Sequence, residues 1–360
     1  LLFYIEDNGY GISVPSTLQT PGGDISRNLA SFPGLHILSG DGTDPADAGT
    51  LARAAVDHVR SRQGPCLLRL TVPRLEGHSF QDTQTYKSPD LIAWENTNDP
   101  LPKLKEYLVP EVMSAAEWDA IGQKALADVA EARLRAESRP ISDPRDVARN
   151  VFFGDDEVQL RGGQWAEGYR PPASSQQPRA EGPRINMVTA IRRTLECELE
   201  NNSKVIVFGE DVGPKGGVHA ATLGLQERFG DARVFDTSLS EEGIIGRAVG
   251  MALAGLVPVA EIQFRKYADP ATEQINDCGT IRWRTRNRYA APVVIRLPGG
   301  FFKCGDPWHS QTNEVQFVHN PGWLVAAPSN AEDAVGLLRS ALRGNDPTVF
   351  FEHRAMLDDV

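Results

Sequence analysis

The sequence predicts an α/β protein with two similar domains, each built on a mostly parallel sheet, and three observations carry that expectation. Short apolar runs that read as buried strands flank a stretch with apolar residues at helical spacing: Gly34 to Leu38, then Asp44 to Arg62, then Cys66 to Val72. The same strand, helix, strand order returns near the other end. There, Trp323 to Ala327 precedes a helix through Asp333, Ala334, Leu337, Leu338 and Ala341, and Thr348 to Glu352 follows it. The pair Asp47, Ala48 with the later Pro65 parallels Asp333, Ala334 with Pro347, so the two ends repeat one pattern.

Taken in order, Leu1 to Ile5 reads as a buried strand that leaves the core for the polar turn Glu6, Asp7, Asn8, Gly9. Gly34 to Leu38 leads into Gly40, Asp41, Gly42, and Leu51, Ala54, Ala55 and Val59 stand at helical spacing in the segment that follows. Ser114 to Ala136 is a strongly charged amphipathic helix. Arg139 to Arg184 is rich in Pro, Gly, Ser and Gln, and Pro171, Pro172 and Pro178 forbid regular structure there, so it reads as a linker. The second domain opens on a helix, Met187 to Glu200, with Val188, Ile191 and Leu195 facing inward. Strands follow at Val205 to Phe208, Val234 to Asp236, Val259 to Phe264 and Pro292 to Leu297, and a Gly- and Ala-rich helix spans Gly243 to Leu256. The expected division is therefore a first domain over 1–110, a charged helix over 111–138, a linker over 139–184 and a second domain over 185–360.

Composition narrows the function classes. With 360 residues, 41% of them hydrophobic, the chain has enough apolar material for two cores. Its longest apolar runs have strand length, so no membrane span is expected. A formal net charge of −11 and the lack of a basic block interleaved with aromatics argue against nucleic acid as a partner. The four cysteines, Cys66, Cys197, Cys278 and Cys304, lack metal spacing and read as reduced thiols in a cytoplasmic protein.

The most informative stretch runs from Phe208 to Gly243, where one strand ends on Glu210 and Asp211 and a second is followed by Glu241. A carboxylate at a strand end of an α/β core is more often chemistry than packing. Elsewhere the bland readings weigh more. The Asn8, Gly9 pair is usually just a turn, His78 in the loop Arg74 to Lys87 suits a surface group, and Tyr267 or Phe264 suits a core. His309 lies among Gly, Pro and Trp rather than periodic apolar residues, which makes a core role less natural.

Together these stretches resemble the thiamine-diphosphate-dependent decarboxylating component of 2-oxo acid dehydrogenase complexes. The segment EDNGYGIS is similar to the end of the family's diphosphate motif, RLEGHSFQDTQTYK to its GHS loop, DTSLSEEG to its DTPxSExG stretch and GDPWHSQ to its HSQ loop. The later half of an α-type portion then joins the first half of a β-type portion. The implied fold is two three-layer domains of the thiamine-diphosphate-binding type, the first incomplete. The resemblance makes Glu241, His309 and His78 catalytic, and Glu210, Tyr267, Asn8, Tyr10 and Ile12 cofactor-binding, with Phe264 the alternative to Tyr267. Asn8 and the carbonyl of Tyr10 become ligands of Mg²⁺. Glu241 has the central role: a carboxylate sharing a proton with the aminopyrimidine ring favours the imino tautomer that activates the cofactor. Ser79 takes the position that some relatives phosphorylate, Asp82 orders its loop, and Glu242 is read as a solvated or capping neighbour.

The sequence departs from the family in places. Asp7 stands where the family often has a first Asn, and Ser238 replaces the usual Pro. Gly40, Asp41, Gly42 follows EDNGYG and so is not the family's opening GDG, which is expected upstream of Leu1; a third domain is expected beyond Val360. This chain by itself is therefore expected to bind the cofactor weakly without turnover. The implied reaction is oxidative decarboxylation of a 2-oxo acid with acyl transfer to lipoamide on a partner acyltransferase, in a homodimer of the longer protein. The EIQF wording, Glu261 to Phe264, leans toward branched-chain acids. Two other readings are ketol transfer of the transketolase or deoxyxylulose phosphate synthase kind, and a non-catalytic fragment acting only in subunit association.

Overall fold

The computed structural model describes residues 1–154, 159–163, 183–301 and 307–359. They form two compact units, Leu1–Ile141 and Ser142–Val360.

In the first unit, β1 (Leu2–Asp7), β2 (His36–Asp41) and β3 (Cys66–Thr71) make a parallel sheet in the order β1-β3-β2. The helix α1 (Pro45–Arg60) is the crossover between β2 and β3. Asp44 caps it by accepting from the N–H groups of Ala46 and Asp47, and Pro45 fills the first turn where no donor is needed. Its Ala55, with Leu51, Ala52 and Val59, packs on Cys66, Leu68 and Leu70 of the central strand. The strand expected over Gly34 to Leu38 starts two residues later and runs on through Gly40 and Asp41. Those two residues pair with Leu70 and Thr71. A Cβ on Gly40 would meet Leu51 Cδ1 at 2.2 Å, so the glycine serves helix packing rather than a turn.

Two helices that the apolar pattern does not announce follow, α2 (Pro89–Thr97) and α3 (Pro100–Leu108). Each starts on a capping side chain and a proline, Ser88 with Pro89 and Asp99 with Pro100. The charged helix is present as α4 (Ala115–Glu137), closed by a capping box between Ser114 and Glu117. Its Ile121, Leu126, Val129 and Leu134 are exposed.

In the second unit, six parallel strands lie in the order β8-β9-β7-β6-β4-β5. They are β4 (Val205–Gly209), β5 (Val234–Asp236), β6 (Val257–Glu261), β7 (Val294–Gly299), β8 (Leu324–Ala326) and β9 (Thr348–His353). One face carries α5 (Met187–Asn201) and α8 (Ala331–Arg343) through Met187, Ile191, Leu195, Ala334, Leu338 and Leu342. The other carries α6 (Glu241–Leu253) and α7 (Thr272–Arg284) through Ile244, Ile245, Ala248, Ile275 and Cys278. Covered on both sides, β4, β6 and β7 bury every residue, which explains their largely apolar sequences. The third strand ends at Glu261 instead of Phe264 because the chain turns into a 3₁₀ segment at Arg265–Ala271. Arg296, fully buried in β7, pairs at 2.5 Å with Glu261 on one side and at 2.6 and 2.9 Å with Glu352 on the other.

The expected linker differs in its described part. Phe153 donates its N–H to Asp346, the Gln159 carboxamide meets Arg282 and Asn345, and Gly163 N–H reaches Ala252 O at 2.7 Å. A short 3₁₀ helix, Pro144–Ala148, forms in it, and side-chain and backbone bonds dock residues 159–163 on the second unit. Pro171, Pro172 and Pro178 lie outside the described residues, as does Cys304; Cys66 and Cys278 are buried free thiols and Cys197 is half-buried. Among the described residues, no helix is long and apolar enough to cross a membrane.

Candidate functional site at the strand ends

The second sheet contains a topological switch. The chain leaves β4 for β5 on one side and returns to β6 on the other, and the carboxyl ends of strands at such a point form a natural ligand crevice. Glu210 directly follows β4. Its Oε1 is buried and has no hydrogen-bond partner among the described residues. Burial, then the charge of Glu241, then that of Asp211 raise the Glu210 carboxyl above the usual carboxylate range. Glu241 is the first residue of α6, where the helix dipole favours an anion. Its neighbour Glu242 is exposed and accepts from the Ser240 hydroxyl at 3.0 Å. The structure thus separates the two adjacent acids: Glu242 bonds locally, and Glu241 is the one coupled to Glu210.

Beyond β6 and β7, the rings gather. Phe264 lies 4.3 Å from His309 between ring centroids, and Tyr267 meets His309 edge-on at 5.3 Å. Phe264 and Tyr267 are themselves 5.9 Å apart, so both aromatic candidates belong to one cluster. Two members of this cluster escape the sequence reading. His219 contacts Phe264 edge-on at 5.9 Å, and burial, then Arg354 and Arg296, push its imidazole down to about 4. Arg354, just past β9, sets its guanidinium carbon 5.2 Å from the Phe264 ring centre and donates to Ser310 Oγ at 3.0 Å. Both follow a strand that the sequence reading placed, but neither sits in a motif that draws the eye. Gly305 and Asp306 of the HSQ stretch lie outside the described residues.

In the first unit the turn after β1 is built from short polar side chains. Asp7 accepts from Gly9 N–H at 3.0 Å, and Asn8 Oδ1 accepts from Tyr10 N–H at 3.1 Å, leaving that oxygen a second lone pair. Ile12 has φ 56°, a left-handed conformation that a β-branched residue adopts only under constraint. The constraint comes from Arg74, which donates to the Ile12 carbonyl, and from the Tyr86 hydroxyl at 3.5 Å. Asp82 organises the loop that supplies them. It accepts from His78 N–H at 2.7 Å, Gln84 N–H at 2.9 Å, Tyr86 at 2.9 Å and Arg74 at 3.3 Å. The structure therefore brings Asn8, Tyr10, Ile12 and Asp82 into one assembly, with His78 and Ser79 exposed on its loop. A cavity of about 260 Å³ beside it is lined by Asp7, Asn8, Tyr10, Ser16 and Gln19. Among the described residues, no three His, Cys, Asp or Glu side chains cluster as a metal site. Any ion at the turn would rest on Asn8 Oδ1 and the Tyr10 carbonyl, two of the roughly six oxygens that Mg²⁺ takes.

Comparison with known proteins matches both units. Residues 1–145 match the dehydrogenase E1 component family, and residues 183–359 match the transketolase pyrimidine binding domain. The 2-oxoisovalerate dehydrogenase subunit beta of Bacillus subtilis is 44% identical over 171 residues, covering 47% of this chain and 52% of that protein. The pyruvate dehydrogenase E1 component subunit beta of the same organism is 45% identical over 170 residues, with 47% and 52% covered. The chain spans about half the length of the curated relatives it matches. A crystal structure of transketolase from Campylobacter jejuni aligns with 100% of this chain and 52% of its own, at a TM-score of 0.56 and 13% identity, a likeness of fold.

Proposed function

We propose that the chain, which joins an E1-type unit to a pyrimidine-binding unit, belongs to the thiamine-diphosphate-dependent 2-oxo acid dehydrogenase E1 components, and that the protein carrying it decarboxylates a 2-oxo acid and passes the acyl group to a lipoyl group on a partner acyltransferase. The observation that supports this reading best is the Glu210 and Glu241 pair. A buried carboxyl oxygen with no partner among the described residues, in a group whose proton is held more tightly by burial and by the charge of a second carboxylate, is suited to a bound heterocycle that combines an N–H donor with ring-nitrogen acceptors. An aminopyrimidine is such a group, so the residues fit thiamine diphosphate.

When bound, thiamine diphosphate supplies the electron sink for loss of carbon dioxide. The protein's share is positioning and proton control. Glu241 would share its proton with a ring nitrogen of the aminopyrimidine, Glu210 would shape the same pocket, and Tyr267 with Phe264 would offer an aromatic platform. His309 binds the substrate carboxylate or gives a proton during acyl transfer, work that suits an imidazole. Asn8 and Tyr10 would hold Mg²⁺, Ile12 would lie against the cofactor, and His78 would contact cofactor or substrate from its loop. A cytoplasmic homodimer of the longer protein, with a branched-chain acid as the better substrate, completes the proposal.

The test is an assay of the full-length protein, with a lipoyl acceptor, against 2-oxoisovalerate, pyruvate and a ketose donor. Decarboxylation with acyl transfer is expected, faster with 2-oxoisovalerate. Ketol transfer from the ketose, without decarboxylation, would contradict it.

A further inference from the structure

Ser310 is 2% exposed, and its hydroxyl has one proton to place. Its oxygen accepts from Arg354 Nη1 at 3.0 Å, and an arginine can only donate. The other polar contact of that hydroxyl among the described residues is His309 Nδ1, at 3.3 Å. If Nδ1 carried the imidazole proton, Ser310 would accept twice and its own buried O–H would have no acceptor among the described residues, an unfavourable arrangement. The arrangement that satisfies the Ser310 hydroxyl has Arg354 donating to Ser310 and Ser310 donating to Nδ1. Nδ1 is then an acceptor, and a neutral ring carries its proton on Nε2.

We propose that Arg354 is a positioning residue that acts through Ser310 to fix His309 in the Nε2–H tautomer. The imidazole then offers an N–H donor to the site, suited to the carboxylate or to an oxygen gaining negative charge in a 2-oxo acid. Arg354 is itself anchored. Its guanidinium lies over Phe264, the ring that also packs on His309 at 4.3 Å, so one aromatic side chain sets the position of both ends of the relay. Arg354 Nε is buried without a partner among the described residues, and the second unit holds this whole chain of contacts. The relevance to turnover rests on the function proposed above; the tautomer does not.

The experiment is nitrogen NMR of the full-length protein labelled with ¹⁵N-histidine, without substrate, with the His309 signals assigned by their loss in His309→Gln. The expected spectrum of neutral His309 shows an unprotonated Nδ1 and a protonated Nε2. Ser310→Ala should mix the tautomers, and Arg354→Gln should do the same while Arg354→Lys, which can still donate to Ser310, restores the single form. Thermal unfolding of each variant checks the fold, and Ser310→Ala decides the matter if the arginine variants do not fold. A protonated Nδ1 in the unmodified protein, or an unchanged tautomer in Ser310→Ala, would overturn the proposal. In the enzyme assay, Ser310→Ala should lower kcat by at least about tenfold with little change in KM, short of the roughly 10²- to 10⁴-fold worth of a whole general acid. Inactivity toward 2-oxo acids together with the Nε2–H spectrum would defeat the function and leave the relay standing.

Discussion

Glu210, just past β4, feels the charge of Glu241 at the start of α6, and after burial that charge is the larger of the two that raise the Glu210 carboxyl. The folded protein therefore holds the Glu210 proton more tightly than the unfolded chain does. Its contribution to stability is fully present below about pH 4.3, the ordinary glutamate value, and is lost as pH rises through the folded value. Glu210→Gln is expected to remove that loss. Urea unfolding at pH 5 and pH 8 should show a smaller drop for the variant than for the parent, and equal drops would contradict the coupling.

The ion triad under the site gives a second expectation. Arg296→Leu leaves Glu261 and Glu352 buried without their shared cation, and such a loss typically costs about 3–5 kcal/mol. Chemical denaturation measures it. A loss under about 1 kcal/mol would show that water or rearrangement replaces the guanidinium.

Much of this architecture can be read from the residues, for identifiable reasons. The strands β4 and β7 are largely apolar because helices cover both faces, and α1 shows itself by the spacing of Leu51, Ala55 and Val59. Where the reading slips, tertiary packing has overridden a local signal. Gly40 lies past the expected strand end at Leu38 and is a strand residue that admits Leu51; Gln159 reads as linker and is buried against Arg282 and Asn345. At the site, Glu210, Glu241, Tyr267 and His309 stand in recognisable stretches, whereas His219 and Arg354 gain meaning only from the rings and hydroxyls they meet in space.

The loop held by Asp82 gives a third expectation. Backbone donors, first His78 and then Gln84, keep the Asp82 carboxyl below its usual range. The order it provides is present above about pH 3.9 and is lost as pH falls through the lower folded value. Asp82→Asn should weaken the same contacts at neutral pH. Limited proteolysis between Glu76 and Tyr86 should then become faster, and a cleavage rate equal to the parent's would mean that Arg74 and Tyr86 hold the loop unaided.

The central claim is that Glu241, and not Glu242, is the working acid of a thiamine site, and its most direct test is decarboxylation by the full-length protein with Glu241→Gln. The expected loss is on the order of 10²-fold or more with unfolding unchanged, while Glu242→Gln stays within about threefold of the parent. A Glu241→Gln variant with near-parental decarboxylation would contradict the account.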